Sequence, residues 1–229
     1  MICFLAVCIF CFVILCINGT MSAFVLQVFC EMSRLDGRTV IQKHNGNNSL
    51  AFDRIWNDYK DGFGNLTGEH WLGLDKMYLL TNQPCRCTML NISLGAFSGE
   101  LAYAYYDSFS VGHANISYKI SLGKYTGSAG DALRGLDDKD IDNNVEGSLF
   151  STQDKDNDNC SPCLRGDVLF SSCARDFGSG WWFNKCAVSN LNGKWRPQTN
   201  SIGWRAAVSW KKWKDNESLK FSVMYVINQ

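Results

Sequence analysis

The chain has 229 residues, 46% of them hydrophobic, and its 22 basic and 22 acidic residues give a formal net charge of zero. A chain of this length and apolar content can bury the core of one large or two small domains. The charge balance excludes a general nucleic-acid binder, because such proteins need a basic face that displaces counterions from phosphates.

The chain opens with an uncharged apolar run over residues 1–17, which small polar residues at positions 18–20 follow. This pattern predicts a secretory signal peptide over residues 1–19 or, as the alternative, an uncleaved signal anchor. The protein would then be secreted and extracellular, and it would meet a membrane only if this segment stays uncleaved. Disulfide bonds and N-linked glycans are expected in that compartment.

Two strands and a helix are predicted next. Residues 23–32 are largely apolar, and residues 38–44 alternate between apolar and polar side chains, as strands do. Apolar residues then recur at i, i+3, i+4 and i+7, which predicts a helix with one buried face. These residues are Phe52, Ile55, Trp56 and Tyr59. Ser49 would cap the start of the helix, and Gly62 would end it.

Short segments separated by Gly, Asn and Asp make up the rest of the chain. Residues 71–81 are compatible with a helical turn. Three segments alternate like strands of an antiparallel sheet, namely residues 87–94, 100–111 and 117–125. Residues 218–227 form a final strand candidate. The glycine-rich stretch at 125–133 lacks the G-x-x-x-x-G-K-[ST] pattern, so we interpret it as a bend and not as a phosphate loop.

The cysteines and the glycosylation sequons fit a secreted chain. Beyond the apolar run the cysteines are Cys30, Cys85, Cys87, Cys160, Cys163, Cys173 and Cys186. Their odd number means that at least one is free, pairs with another chain or lacks its partner here. The C-x-C and C-x-x-C pairs match zinc-site spacing only weakly, and disulfides are the better account in an oxidising compartment. The predicted glycosylation sites, besides a sequon at Asn18, are Asn47, Asn65, Asn91, Asn115 and Asn216.

The histidines do not belong to a recognisable catalytic motif. His44, His70 and His113 lie outside any G-x-S-x-G or H-E-x-x-H pattern, although a Cys–His pair assembled by the fold would not be visible in the sequence. We interpret each histidine as a surface residue or a hydrogen-bonded core residue, and we predict that the protein is not an enzyme.

An acidic run precedes one of the cysteine pairs. Asp154, Asp156 and Asp158 occupy alternate positions, and such alternation in a loop can turn several oxygens inward. Ca²⁺ takes six to eight oxygen ligands, so a calcium loop is one interpretation. The EF-hand pattern fails, because its sixth and twelfth positions would be Asn159 and Arg165 where Gly and Glu are required. The residues alone leave a different calcium loop and a solvated polar surface both open.

The surrounding motifs are specific. The segments FSTQDKDNDNC and SCARDFGSGWWFNKCAVSNLNGKW strongly resemble the C-terminal fibrinogen-like domain, as do CEM, TVIQK, RIWNDYKDGFG, GEHWLGL and YTGSAGDAL in the same order. The features LAYAYYDSF, RGL and DNDNCSPC are most similar to an angiopoietin-like member. The resemblance implies an α+β, fibrinogen C-terminal-like globular domain over residues 23–229. Its parts would be a central antiparallel sheet, short helices and a loop-rich, calcium-binding C-terminal lobe.

The resemblance also implies site residues. Calcium would be held by the carboxylates of Asp156 and Asp158 and by carbonyl oxygens near Cys160 and Pro162. The family's disulfide beside the metal corresponds to Cys173–Cys186. A cis peptide before the second cysteine of this disulfide would lie next to the ligand pocket. The ligand-binding residues would be Trp181, Trp182, Phe183, Lys185 and Cys186.

The chain departs from the family pattern in several places. An insertion separates Asp158 from Cys173. Members that bind acetylated sugars carry His after the second cysteine of the disulfide, where this chain has Ala187. The family's first strand and its cysteine are expected to be missing, which would leave Cys30 unpaired or paired with Cys16. The usual coiled-coil or collagen stalk is not seen either.

Two functions follow from the resemblance. The first is a secreted, non-enzymatic ligand that recognises a cell-surface receptor or an extracellular-matrix partner through the calcium-stabilised C-terminal lobe. The alternative is an innate-immune lectin that binds acetylated glycans in a pocket with aromatic walls. Ala187 counts against the alternative.

Overall fold

The computed structural model describes residues 9–17, 20–32, 37–46, 50–84, 86–137, 141–165, 167–196, 206–215 and 217–228. Side chains are described from residue 26 onward, except at positions 141 and 165. The strands are β1 Ile9–Ile17, β2 Thr20–Met32, β3 Gly37–His44, β4 Phe63–Gly64, β5 His70–Trp71, β6 Thr88–Gly95, β7 Leu101–Tyr106, β8 Phe109–Val111, β9 Ile120–Leu122, β10 Tyr125–Gly127, β11 Cys163–Arg165, β12 Val168–Phe170, β13 Ser189–Asn190, β14 Ser209–Trp210 and β15 Phe221–Asn228. The helices are α1 Trp56–Asp61, α2 Leu74–Thr81 and α3 Cys173–Phe177, with 3₁₀ turns at Ala114–Ile116 and Ile141–Asn143.

An antiparallel sheet forms the centre of the fold. Its strand order is β1-β2-β3-β15-β6-β7-β10, and the short strands β4 and β5 attach beside β3. The last strand, β15, lies in the middle, between β3 and β6. It is buried along almost its whole length, so both of its faces are covered. The predicted strands and the central antiparallel sheet with few, short helices are confirmed.

The predicted first helix is shorter than its apolar spacing indicated. It begins at Trp56, and Ile55 is 45% exposed, so the four spaced residues do not share one helix face. The segment before Trp56 is not helical, and Phe52 reaches the core from there, where its carbonyl accepts a hydrogen bond of 2.6 Å from the Tyr59 hydroxyl. Gly62 ends the helix with φ of 94°, as predicted. Ser49, the expected cap, lies outside the described residues.

A strand within the predicted signal segment occupies one edge of the central sheet. β1 pairs with β2, and Ile9 lies opposite Cys30. Cys16 lies near the other end of this pairing, so the register excludes the Cys16–Cys30 bond, which was one of the two alternatives for Cys30. The signal-peptide and signal-anchor alternatives for residues 1–19 stay predictions. Within the described part of the chain, no helix is both long and apolar enough to cross a membrane.

Candidate functional site

The acidic loop is attached to the first helix. The Asp154 carboxylate accepts a hydrogen bond of 2.9 Å from the Trp56 backbone nitrogen at the start of α1, and another of 2.8 Å from the Thr152 hydroxyl. The ammonium of Lys155 lies 3.7 Å from the centre of the Trp56 ring, a cation–π contact. These contacts show that Asp154 caps α1. Its role therefore differs from that predicted for the next two carboxylates, Asp156 and Asp158.

Asp158 is fully buried at the start of the third helix. One carboxylate oxygen accepts a hydrogen bond of 3.0 Å from the Cys160 backbone nitrogen. The other accepts from the Cys173 nitrogen at 2.6 Å, the Ser172 hydroxyl at 3.3 Å and the Ala174 nitrogen at 3.4 Å. Ser172 also caps α3 directly, because its hydroxyl accepts from the Arg175 nitrogen. Asp158 therefore joins the acidic loop to the segment that carries Cys173.

The ionised form of the buried Asp158 carboxyl is unfavourable when no cation lies near it. Burial raises its pKa from 3.8 to about 6, and the neighbouring Asp156 carboxylate adds to this rise, while the backbone N–H groups of Cys160 and Cys173 oppose it. A raised pKa means that, without a cation, this group favours the folded state below pH 4. That contribution is lost as the pH rises through about 6. A cation near both carboxylates would remove this cost at neutral pH.

The residues of this loop fit a calcium ion in chemical terms. Asp156 is exposed, and one of its oxygens accepts from the Asp158 backbone nitrogen at 3.2 Å, which holds the two side chains close together. The carbonyl oxygens of Cys160 and Pro162 accept no hydrogen bond from any described residue, so they remain available as ligands. Carboxylate and carbonyl oxygens are the ligand types that Ca²⁺ prefers, so the chemistry of these residues is compatible with the predicted ion.

Two disulfides lie against this loop. Cys173–Cys186 is present, as the resemblance implied, and Cys160–Cys163 closes the start of the insertion. The four sulfur atoms lie within 4.8 Å of one another. Because all four are oxidised, none is a thiolate that could bind zinc, so disulfides are confirmed as the better account of these cysteines. Cys87 is exposed and forms no disulfide with a described residue, and Cys85 lies outside the described ranges.

The backbone at the second cysteine differs from the expectation. The bond between Lys185 and Cys186 is trans, and the cis peptide among the described residues is Ser161–Pro162. The chain turns instead through three consecutive left-handed residues, with φ of 42° at Lys185, 79° at Cys186 and 41° at Ala187. Non-glycine residues rarely adopt this conformation, and each costs on the order of 1–3 kcal/mol. The disulfide and the hydrogen bond of 2.9 Å from the Lys185 nitrogen to the Asp158 carbonyl hold this turn.

The aromatic residues expected to line a ligand pocket are in the core. Trp181, Trp182 and Phe183 are fully buried, so the expectation that their rings form open walls is wrong. Trp182 packs edge-to-face on Phe150 with ring centres 5.0 Å apart, and Phe183 packs on Phe177 at 5.4 Å. The segment lies inside because Trp181 exchanges two backbone hydrogen bonds with Ser151. The aromatic rings of this loop-rich segment therefore pack in the hydrophobic core.

The other predicted ligand-binding residues differ in exposure. Cys186 is buried within its disulfide. Lys185 is exposed, and its ammonium lies 2.8 Å from the Asp142 carboxylate in a surface ion pair. Such a pair is worth little in stability, about 0–1 kcal/mol. Lys185 therefore remains free to exchange this partner for a ligand.

The predicted glycosylation sites also differ in accessibility. Asn65 and Asn115 are exposed. Asn91 lies in the middle of β6, paired with strands on both sides, and its side-chain oxygen is buried, so it is poorly placed to carry a glycan. Asn47 and Asn216 lie outside the described residues.

The insertion between Asp158 and Cys173 forms a surface hairpin. Strands β11 and β12 pair with each other in a two-stranded sheet of their own. Their middle residues, Leu164 and Leu169, are 70% and 67% exposed, whereas Phe170 is buried and anchors the second strand. The sequence showed an insertion, but its folding as a separate hairpin follows from this pairing.

A cleft that the sequence did not indicate lies on the same lobe. It encloses about 620 Å³, and its lining includes His44, Phe52, Asp53, Arg175, Lys194 and Trp195. An apolar floor with charges of both signs at its rim is typical of sites that bind part of another molecule. The residues come from distant parts of the chain, so no local pattern could have found them.

One wall of this cleft contains a buried, hydrogen-bonded His44–Glu69 pair. The Nδ1 atom of His44 lies 2.8 Å from Glu69, and its Nε2 donates to the Gly193 carbonyl at 2.9 Å. The same Glu69 oxygen accepts from the backbone nitrogens of Asn45 and Gly46 at 2.9 and 2.6 Å. The Glu69 side chain therefore joins His44 to the backbone of the next two residues in one buried hydrogen-bond network.

The prediction that the histidines are core or surface residues is confirmed. His44 and His70 are buried and hydrogen-bonded, and His113 is exposed. Burial lowers the pKa of His70, and the contacts of its ring nitrogens with the Gly68 and Val40 carbonyls oppose this shift.

Comparison with known proteins agrees with this geometry. The family described as fibrinogen beta and gamma chains, C-terminal globular domain, matches residues 12–229. Tenascin-R of Gallus gallus is 38% identical over 210 residues, which is 92% of this chain but only 13% of the tenascin. The fibrinogen-like globe domain of human ANGPTL2 has a TM-score of 0.79 at 33% identity, covering 96% of this chain and 92% of that one. The lamprey fibrin D-dimer, solved with the peptide ligand Gly-His-Arg-Pro-amide, has a TM-score of 0.76 at 34% identity, covering 90% of this chain and 66% of that one.

Proposed function

The chain belongs to the fibrinogen C-terminal domain family of non-enzymatic binding proteins, and on this basis we propose that it is a secreted ligand for a receptor or matrix partner. Recognition uses the C-terminal lobe, which calcium stabilises through Asp156 and Asp158. Support for partner binding comes from the lamprey relative, which was solved with a peptide ligand. The cleft beside α3 is the part of the lobe best shaped to take a segment of the partner.

One observation carries this proposal. Asp158 is buried, and its carboxyl joins the acidic loop to the first turn of α3, whose first residue is half of the Cys173–Cys186 disulfide. Arg175 in the same helix lines the cleft. A cation that neutralises Asp156 and Asp158 would therefore fix the helix and the cleft wall together. Loops held on a rigid scaffold are where recognition usually occurs.

Thermal melting in EDTA and in calcium tests the metal. At pH 7 and calcium at 100 times Kd, the expected stabilisation is about 2.7 kcal/mol, which corresponds to a rise in Tm of roughly 5–10 °C. The variant Asp156→Asn should lose this rise, because it removes one of the two charges at an exposed position. Asp154→Asn is the matched control in the same loop. It keeps a side-chain oxygen that can accept from the Trp56 nitrogen, so it should change Tm little in either buffer and keep the calcium response.

An identical calcium response in Asp156→Asn and the unmodified protein would reject the metal site. Loss of the response in Asp154→Asn as well would show that the loop, and not the carboxylate pair, is responsible.

The structure does not favour the lectin alternative. Its aromatic walls were Trp181, Trp182 and Phe183, and their rings are buried. Binding to an array of acetylated glycans that free acetylated sugar competes away would reverse this ranking.

A further inference from the structure

The two disulfides beside the acidic loop lie close enough together to exchange partners. The Cys163 sulfur is 4.0 Å from the Cys186 sulfur, which belongs to the other bridge. Asp158 keeps the bridges together, because its carboxylate accepts from the backbone nitrogens of Cys160 and Cys173. A disulfide opens when a thiolate attacks one of its sulfur atoms, and atoms held roughly 3–3.5 Å apart are already near the geometry of attack. A small movement therefore separates these bridges from an exchange.

The two bridges differ in their access to solvent. Cys160, Cys173 and Cys186 are buried, whereas Cys163 is partly exposed at the start of the surface hairpin. Thiol–disulfide exchange depends on which sulfur the attacking thiolate can reach. A thiol in solution can reach the Cys160–Cys163 bridge at the Cys163 sulfur, while both ends of the Cys173–Cys186 bridge are covered.

The bridges also close loops of different length. The sequence separation is 3 for Cys160–Cys163 and 13 for Cys173–Cys186. In the chain-entropy account, a shorter closed loop stabilises the folded state less, so the short bridge is the less costly one to open. Accessibility and loop length therefore both select Cys160–Cys163 as the bridge that a reductant opens first.

We propose that Cys160–Cys163 is a redox-active bridge through which a dithiol reductant opens the buried Cys173–Cys186 bridge. One thiolate of the reductant attacks the Cys163 sulfur, and Cys160 leaves as a thiolate. The second thiolate of the reductant displaces Cys163, and the reductant leaves as a disulfide. The Cys163 thiolate then attacks the Cys186 sulfur, and Cys173 leaves. Two electrons and two protons pass from the dithiol to the protein, which ends with a Cys163–Cys186 bridge and with thiols at Cys160 and Cys173.

The exchange changes the anchor of the third helix. Cys173 is the first residue of α3, and its bridge to Cys186 ties that helix to the left-handed turn at residues 185–187. After the exchange this turn is tied to Cys163 in the hairpin, and α3 is released from it. Because Arg175 of α3 lines the cleft, reduction would act on the surface proposed for partner binding. This consequence rests on the proposed function, whereas the exchange itself does not.

Peptide mapping after partial reduction tests the exchange. Thiols of the full chain that are free at the start are blocked with N-ethylmaleimide, and the excess is removed. The folded protein is then given limiting dithiothreitol and quenched with iodoacetamide. Trypsin places the four cysteines on three peptides, residues 156–165, 166–175 and 186–194. The proposal predicts that peptide 156–165 becomes joined to peptide 186–194 and that iodoacetamide labels Cys160 and Cys173.

The double variant Cys160→Ser, Cys163→Ser removes the accessible bridge and leaves the buried one intact. Its Cys173 should be labelled at least tenfold more slowly than that of the unmodified chain at the same dithiothreitol concentration. A loss of stability would expose the buried bridge and speed its labelling, so slower labelling cannot come from misfolding. Cys87→Ser is the matched control, because Cys87 is exposed and lies outside both bridges, and it should behave like the unmodified chain.

Three results would overturn the proposal. The first is labelling of Cys160 and Cys163 while peptides 166–175 and 186–194 stay joined, because the accessible bridge would then open without passing electrons on. The second is equal labelling rates of Cys173 in the double variant and the unmodified chain. The third is that neither bridge is labelled for as long as the chain remains folded.

Discussion

Replacing Trp182 with alanine should lower the free energy of unfolding by about 3–5 kcal/mol, the range found when a large buried aromatic ring is removed. The ring is fully buried between Phe150 and Trp71, with ring centres at 5.0 and 6.0 Å. Its indole N–H also donates to the Tyr118 carbonyl at 2.7 Å. Denaturant unfolding of the variant and the unmodified protein measures the difference.

A paired comparison separates the contribution of the indole hydrogen bond to stability from the contribution of the buried ring volume. Trp181 is equally buried, but its indole nitrogen has no hydrogen-bond partner among the described residues. Trp182→Phe should therefore cost about 1 kcal/mol more than Trp181→Phe, because only the first substitution breaks a hydrogen bond. If Trp182→Ala unfolds with less than about 1 kcal/mol of lost stability, its ring is not in the core, and a role in an open pocket returns.

The second large effect is expected at the buried His44–Glu69 pair. Glu69→Ala should destabilise the protein by about 3–5 kcal/mol, the usual cost of removing one partner of a buried pair. The substitution leaves His44 and the backbone donors of Asn45 and Gly46 without their acceptor. Because His44 and Gly46 line the cleft, partner binding should weaken along with stability. The free energy of unfolding is again the measurement.

Glu69→Gln is the matched control for this effect. Its side-chain oxygen can still accept from Asn45 and Gly46, so it should lose clearly less stability than alanine. Equal losses for Gln and Ala would show that the charge, and not the hydrogen bonds, holds the wall. A loss under about 1 kcal/mol for Glu69→Ala would contradict the buried pair altogether.

The strands could be predicted because alternation is a local property. Residues 38–44 and 100–111 alternate in the sequence, and they form β3 and the β7–β8 segment in the structure. The start of α1 could not be predicted in this way. Its cap is Asp154, which lies 98 positions after the Trp56 nitrogen that it accepts from, and no local window contains both.

Part of the candidate site could also be predicted, because its motifs are local in the sequence. The Asp156–Asp158 pair and the Cys173–Cys186 disulfide lie in motifs with family-specific spacing. The sequence could not show that Asp158 is buried under α3, because that depends on how two distant segments pack. The aromatic residues of the expected pocket were placed wrongly. The sequence of a loop-rich segment does not show whether a tryptophan ring faces solvent or the core.

Calorimetric titration with Ca²⁺ tests the central claim most directly. A protein in which Asp156 and Asp158 jointly hold one cation should bind one Ca²⁺ per chain, lose that binding in Asp156→Asn and keep it in Asp154→Asn. Absence of heat in the unmodified chain, or an unchanged single site in Asp156→Asn, would contradict the claim that these two carboxylates organise the binding lobe.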